Sequence, residues 1–180
     1  MLKKLLAVVV TSAFILTACG GGGTSSAQKS FISGDGNITF IEQSQRQLAP
    51  KLSGMTLKGV NYSLPGNSIA VINVWASWCA PCRAEAPTLA ALSQKYNKVA
   101  FVGILTRDNP VSAEAFERRF ALPYPTLIDD SVLIGFRKTL PANAIPSTVV
   151  IDKNGKVAGR ISGEITVASL STLIEKVSAE

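Results

Sequence analysis

Residues 69–75 (Ile-Ala-Val-Ile-Asn-Val-Trp) form a near-continuous apolar, β-branched run, and Cys79-Ala80-Pro81-Cys82 follows almost at once. Such a run reads as a central strand buried on both faces. The stretch 79–96, with Leu89, Leu92 and Tyr96 along one face, reads as a helix. Two cysteines therefore stand where a buried strand gives way to a helix. A thiolate there is favoured by the helix dipole and by unpaired backbone N–H groups, which lower its pKa. The second sulfur lies one turn further on, within reach of a small-ring disulfide. Pro81 is tolerated because the first helical turn has no intrahelical use for its missing N–H. Cys79, at the helix end, is the expected attacking thiol, and Cys82, set deeper, the expected resolving one.

Two plainer uses of the pair fit less well. Structural zinc wants four ligands, whereas the chain has three cysteines and no histidine. A purely structural disulfide closing so short a loop would constrain little of the unfolded chain. Redox chemistry is the expected use, with the Cys79–Cys82 disulfide itself as the redox group and neither a separate cofactor nor a metal.

From residue 55 onward strand-like and helix-like stretches alternate, which points to an α/β fold with a mixed central sheet flanked by helices. The expected elements are an extended pair at 55–58 and 60–64 around Gly59, a second central strand over 99–105, and a helix opening at Asn109-Pro110. Phe116 and Phe120 form an i,i+4 apolar pair on that helix. A short strand over 124–128, a short helix over 131–138 and a third apolar strand over 147–151 follow. Asp152-Lys153-Asn154-Gly155-Lys156 is a tight turn into a return strand over 157–161, and 166–177 is a closing amphipathic helix. Residues 31–54, with a short strand at 38–41, are expected as an approach segment to a domain spanning 55–180.

The stretch Val74-Trp75-Ala76-Ser77-Trp78-Cys79-Ala80-Pro81-Cys82-Arg83-Ala84-Glu85-Ala86-Pro87 resembles the active-site signature of the TlpA/ResA/DsbE group of thioredoxin-like proteins. The resemblance runs from about residue 55 to the last residue. It implies a thioredoxin-like fold with a TlpA-type strand–helix–strand insert over 99–129. It also implies extracytoplasmic, membrane-tethered exchange with the thiols and disulfides of exported proteins, apocytochrome c among them. Many members act as reductants fed by a membrane thiol donor of electrons, and some relatives act as oxidants.

Several positions take expectations, most of them from this resemblance. Glu85 matches an acidic residue that tunes the thiol pKa and relays protons; a solvated glutamate in the early turns of a helix is the plainer reading. Asn73 stands where plain thioredoxins carry a buried aspartate, which leaves Glu85 as the better candidate base. Ile145-Pro146 matches the place of a cis-proline that faces the dithiol and offers backbone groups to an incoming peptide, against the alternative of a strand-edge proline. Trp78 is expected on the docking surface. Trp75 is expected in the core, and Pro87 matches the helix-kinking proline of the fold.

At the amino terminus, Met1-Leu2-Lys3-Lys4 precedes an uncharged, mostly apolar run over 5–18. That run is too short to cross a bilayer and matches the hydrophobic region of a secretory signal. It ends in Leu16-Thr17-Ala18-Cys19, which resembles the lipobox of bacterial lipoproteins. The resemblance implies cleavage of 1–18, lipid on the Cys19 sulfur, and retention on the outer face of a bacterial membrane through acyl chains. A plain signal with an incidental Cys19 is the competing reading, and it leaves the third cysteine of an exported chain unexplained. Residues 19–30, with four glycines and then Thr24, Ser25 and Ser26, read as a lipidated cysteine and a flexible tether.

Charge narrows the partners. The chain carries 18 Lys+Arg against 12 Asp+Glu, and losing Lys3 and Lys4 with the signal leaves a net +4. Those basic residues are scattered, with no aromatic-interleaved stripe, so no nucleic-acid partner is expected. Peroxiredoxins share the fold but precede their cysteine by Pro and Thr at a fixed spacing that is absent here. Copper-delivery relatives use a wider cysteine spacing and a histidine. A reductase is the leading expectation and a disulfide-introducing oxidase its alternative, since Ala80-Pro81 does not set direction.

Overall fold

In the computed structural model, which describes residues 31–32, 37–137 and 145–180, the apolar run is a strand, Ala70–Trp75, with every residue buried. The expected signal, Cys19 and the tether lie outside the described residues. In chain order the strands are β1 (Phe31–Ile32), β2 (Asn37–Phe40), β3 (Ser53–Met55), β4 (Asn61–Ser63), β5 (Ala70–Trp75), β6 (Ala100–Leu105), β7 (Thr126–Leu127), β8 (Ser147–Ile151) and β9 (Val157–Ser162). The helices are α1 (Ala80–Lys95), α2 (Pro110–Phe120) and α3 (Val167–Ser178), with a 3₁₀ helix over Asp130–Phe136. Among the described residues no helix is long and apolar enough to cross a membrane.

Seven strands make one sheet in the order β1-β2-β9-β8-β5-β6-β7. The β5–β6 and β6–β7 pairs are parallel and β5–β8 is antiparallel, so the sheet is mixed, as expected. The alternation of β5 sends Val71 and Trp75 to one face, where they pack with Leu89, Leu92, Phe116, Leu170 and Ile174 of the three helices. Ala70, Ile72 and Val74 face the other way, against Leu52, Leu127 and Phe136. Fully burying each such aliphatic side chain stabilises the fold by about 1.5–3 kcal/mol. The separate β3–β4 hairpin turns at Gly59, where φ is +70°, and docks on β7. There Leu57 N–H donates to Thr126 O and Ile128 N–H to Met55 O.

Local chemistry sets the helix boundaries. Asn109 caps α2, its side chain accepting from Val111 N–H at 2.8 Å, and Pro110 fills the first position. The Phe116 and Phe120 rings sit 4.7 Å apart, and Phe116 stacks on Trp75 at 4.3 Å. Thr166 and Ser169 form a reciprocal capping box for α3.

The domain boundary differs from expectation. Residues 37–54 belong to the sheet and core rather than leading up to them: β2 pairs antiparallel with β9, and Leu52 is buried. Arg46 is buried as well, donating to Ile41 O and Asp152 and, through both terminal nitrogens, to Glu180. The contacts to Asp152 and Glu180 join residues more than a hundred positions apart, so no local pattern announces them.

Candidate active site

The site is built where β5 ends. Cys79 is the N-cap of α1, and Cys82, in the helix's first turn, is disulfide-bonded to it. Cys82 N–H donates to Cys79 Sγ at 3.2 Å, and Arg83 N–H to Cys79 O, so the sulfur occupies the place of a capping oxygen. Both residues are buried, Cys79 at 4 % and Cys82 at 2 % exposure. That difference follows the expected order but is small. Trp78, just before them, is 57 % exposed, with its indole N–H donating to Arg107 O at 3.0 Å.

Glu85 lies one turn beyond Cys82 and is 1 % exposed. The solvated reading of this residue does not hold. One carboxylate oxygen accepts from Asn73 Nδ2 and the other from Ile165 N–H, both at 2.8 Å. The same Asn73 amide donates to Thr148 Oγ1 at 3.1 Å. Burial raises the Glu85 pKa to about 7 against the lowering effect of those two hydrogen bonds. Asn73, at the position of the usual buried acid, thus works as a neutral donor to a carboxyl arriving from α1.

Register brings the proline alongside. Val74 of β5 pairs with Ser147 of β8, so Pro146 falls level with the chain entering the dithiol loop. The Ile145–Pro146 peptide bond is cis, and Gly163 N–H donates to Pro146 O at 3.0 Å. Ile145 packs against the core cluster that holds Cys79 and Cys82. Trp75 is in the core, 1 % exposed, while Pro87 lies inside α1 with its ring outward.

Asp108 and Arg107 were not singled out in the sequence. Asp108 accepts from both the backbone N–H and the hydroxyl of Ser77. No local sequence pattern points to them; it is the β5–β6 register, setting Trp75 against Leu105, that carried forward by its 30-residue offset brings 77–78 beside 107–108. The arrangement offers a dithiol at a helix N-terminus, a buried carboxyl titrating near neutrality one turn away, and a backbone edge beside the sulfurs. Chemically, that suits transfer of two electrons and two protons between sulfur pairs.

The sequence profile of the redoxin family matches residues 30–174. The chain is 33 % identical over 118 residues to the thiol:disulfide interchange protein HelX of Rhodobacter capsulatus, covering 64 % of each chain. It is 33 % identical over 110 residues to the thiol-disulfide oxidoreductase ResA of Geobacillus kaustophilus, covering 59 % of this chain and 61 % of that one. The chain therefore spans a little under two thirds of the length of these relatives. Among solved structures it superposes on a secreted thiol-disulfide isomerase from Corynebacterium glutamicum with a TM-score of 0.74 and 28 % identity, covering 83 % of this chain and 97 % of that one. A DsbF homologue from Corynebacterium diphtheriae gives 0.72 and 26 %, over 86 % and 96 %. The fold is thioredoxin-like.

Proposed function

The chain belongs to the redoxin family, and from that premise we propose that it is a thiol–disulfide oxidoreductase reducing exported proteins from the outer face of a bacterial membrane. The observation that carries this reading is the Cys79–Cys82 pair at the cap of α1 with the Glu85 carboxyl buried one turn behind it. In the reduced protein the Cys79 thiolate attacks a substrate disulfide, forming a mixed disulfide and releasing one substrate thiolate. Cys82 gives its proton to Glu85 and attacks the Cys79 sulfur. That releases the second substrate thiolate and closes the Cys79–Cys82 bond. Two electrons pass to the substrate, and a membrane thiol donor restores the dithiol. Glu85 suits the proton step because its pKa lies near the working pH. Ile145 and the cis-Pro146 edge, with Trp78, receive the substrate chain.

Lipid on Cys19 holds the domain at the membrane, and the tether gives it reach. The family resemblance supports apocytochrome c as one substrate. The names of the relatives, interchange protein and oxidoreductase, support the reaction type.

Replacing Cys82 with Ala in bacteria making this protein is expected to trap exported proteins on Cys79 as mixed disulfides, and Cys19→Ser to release the protein from the membrane fraction. If nothing is trapped and the wild-type protein also fails to reduce insulin, the reading is wrong.

A further inference from the structure

The turn after β6 grips the dithiol loop. Asp108 accepts from the Ser77 N–H at 2.5 Å and the Ser77 hydroxyl at 3.1 Å, and also from Asn109 N–H at 2.7 Å. Arg107 has φ +49°, a left-handed conformation that a side-chain-bearing residue keeps only where its surroundings impose it. Its carbonyl accepts the Trp78 indole N–H at 3.0 Å. The grip therefore falls on the two residues immediately before Cys79.

All three donors to Asp108 are neutral, so none of them pairs it with a positive charge. Asp108 is half-buried, whereas the cations flanking the loop, Arg83 on α1 and Arg107 in the turn, are exposed and screened by solvent. Among the described residues, the other charged groups toward this end are Arg137, which is exposed and lines one cavity with Arg107 and Asp130, Glu85, which is buried, Glu164, which is exposed, and Asp130, which accepts from Thr106 Oγ1. The carboxylate is held on Ser77, two residues before Cys79 in the chain, and an anion so placed disfavours the Cys79 thiolate. A dithiol is a strong oxidant when its reduced, thiolate form is stabilised, so withholding that stabilisation makes the pair a better reductant.

We infer that Asp108 is a positioning residue whose charge holds the Cys79–Cys82 couple at a reducing potential. This rests on the exchange reaction proposed above and supplies its direction. The half-reaction is disulfide plus two electrons and two protons giving the dithiol. Asp108 acts on it by raising the free energy of the Cys79 thiolate.

The test is Asp108→Asn, which keeps one acceptor oxygen and removes the charge, beside Ser77→Ala, which keeps the charge and removes one hydrogen bond. One charge at the edge of a protein is worth roughly a three- to tenfold change in the equilibrium. The Asp108→Asn couple, equilibrated against glutathione, should shift toward the dithiol by that factor, tenfold being about 30 mV. Its Cys79 pKa should fall in parallel, while Ser77→Ala stays at the wild-type values. Equal shifts in both variants would assign the effect to loop geometry and overturn the inference. An unchanged potential and Cys79 pKa in Asp108→Asn with wild-type melting would overturn it as well. If Asp108→Asn does not fold, Asp108→Ser is read the same way. A wild-type protein that does not equilibrate with glutathione at all defeats the oxidoreductase reading itself; one that does, with a potential insensitive to Asp108, defeats only this inference.

Discussion

At position 85 the chain buries a carboxyl group whose hydrogen-bond partners are two neutral donors, the Asn73 amide and the Ile165 N–H. Folded, the group holds its proton to about pH 7, whereas its unshifted value is 4.5. Between those limits the unfolded chain has released the proton and the folded one has not. The stability gained from Glu85 is therefore complete below pH 4.5 and is lost as the pH rises through 7. At about 1.4 kcal/mol per pKa unit the loss is about 3 kcal/mol. Urea unfolding at pH 5 and pH 8 should show the wild type losing most of that amount relative to Glu85→Gln, and a variant with the same pH slope would disprove the assignment. Glu117, also raised by burial, slopes in the same direction in both proteins and cancels from the comparison.

Among the elements, β6 shows how a missing side chain shapes a sheet. Gly103 pairs with Asn73 on one side and Thr126 on the other. A Cβ on Gly103 would meet Thr126 Oγ1 at 2.5 Å and Trp75 Nε1 at 2.8 Å. The bare backbone lets the Trp75 indole lie across β6 and reach Phe116 of α2. Gly103→Ala is expected to destabilise the protein by about 1–3 kcal/mol, read as a lowered urea midpoint at unchanged slope. Elements of this kind divide by how local their causes are. The β-branched run of β5, the Asn109-Pro110 start of α2 and the dithiol at the head of α1 each carry their cause within a few residues, and were legible. Glu85 was legible as a candidate, but its burial was not, because its partners come from β5 and from the loop before α3. Asp108 was hidden for the same reason: its partner is 31 residues away.

For the molecule as a whole, the ion triad of Arg46 with Asp152 and Glu180 joins the segment between β2 and β3, the β8–β9 turn and the last residue of the chain. Breaking a buried pair strands a charge, at a cost of about 3–5 kcal/mol. Arg46→Met should lower the unfolding free energy by that order. The Arg46 hydrogen bond holds the Glu180 pKa below its ordinary value. Its contribution is present above pH 4.5 and is lost as the pH falls toward the folded pKa, opposite in sign to Glu85. Acid unfolding of Arg46→Met should therefore lack that part of the wild-type loss. The two ends of the sheet have a consequence of another kind. At one end β1 is two residues long; at the other β7 is equally short and is covered by the β3–β4 hairpin. Among the described residues, neither end offers a long bare row of N–H and C=O groups for a foreign strand to extend. Under the proposed function, such short ends would keep client chains from being added strand by strand to the sheet, and the backbone edge offered to them would be the one beside Pro146.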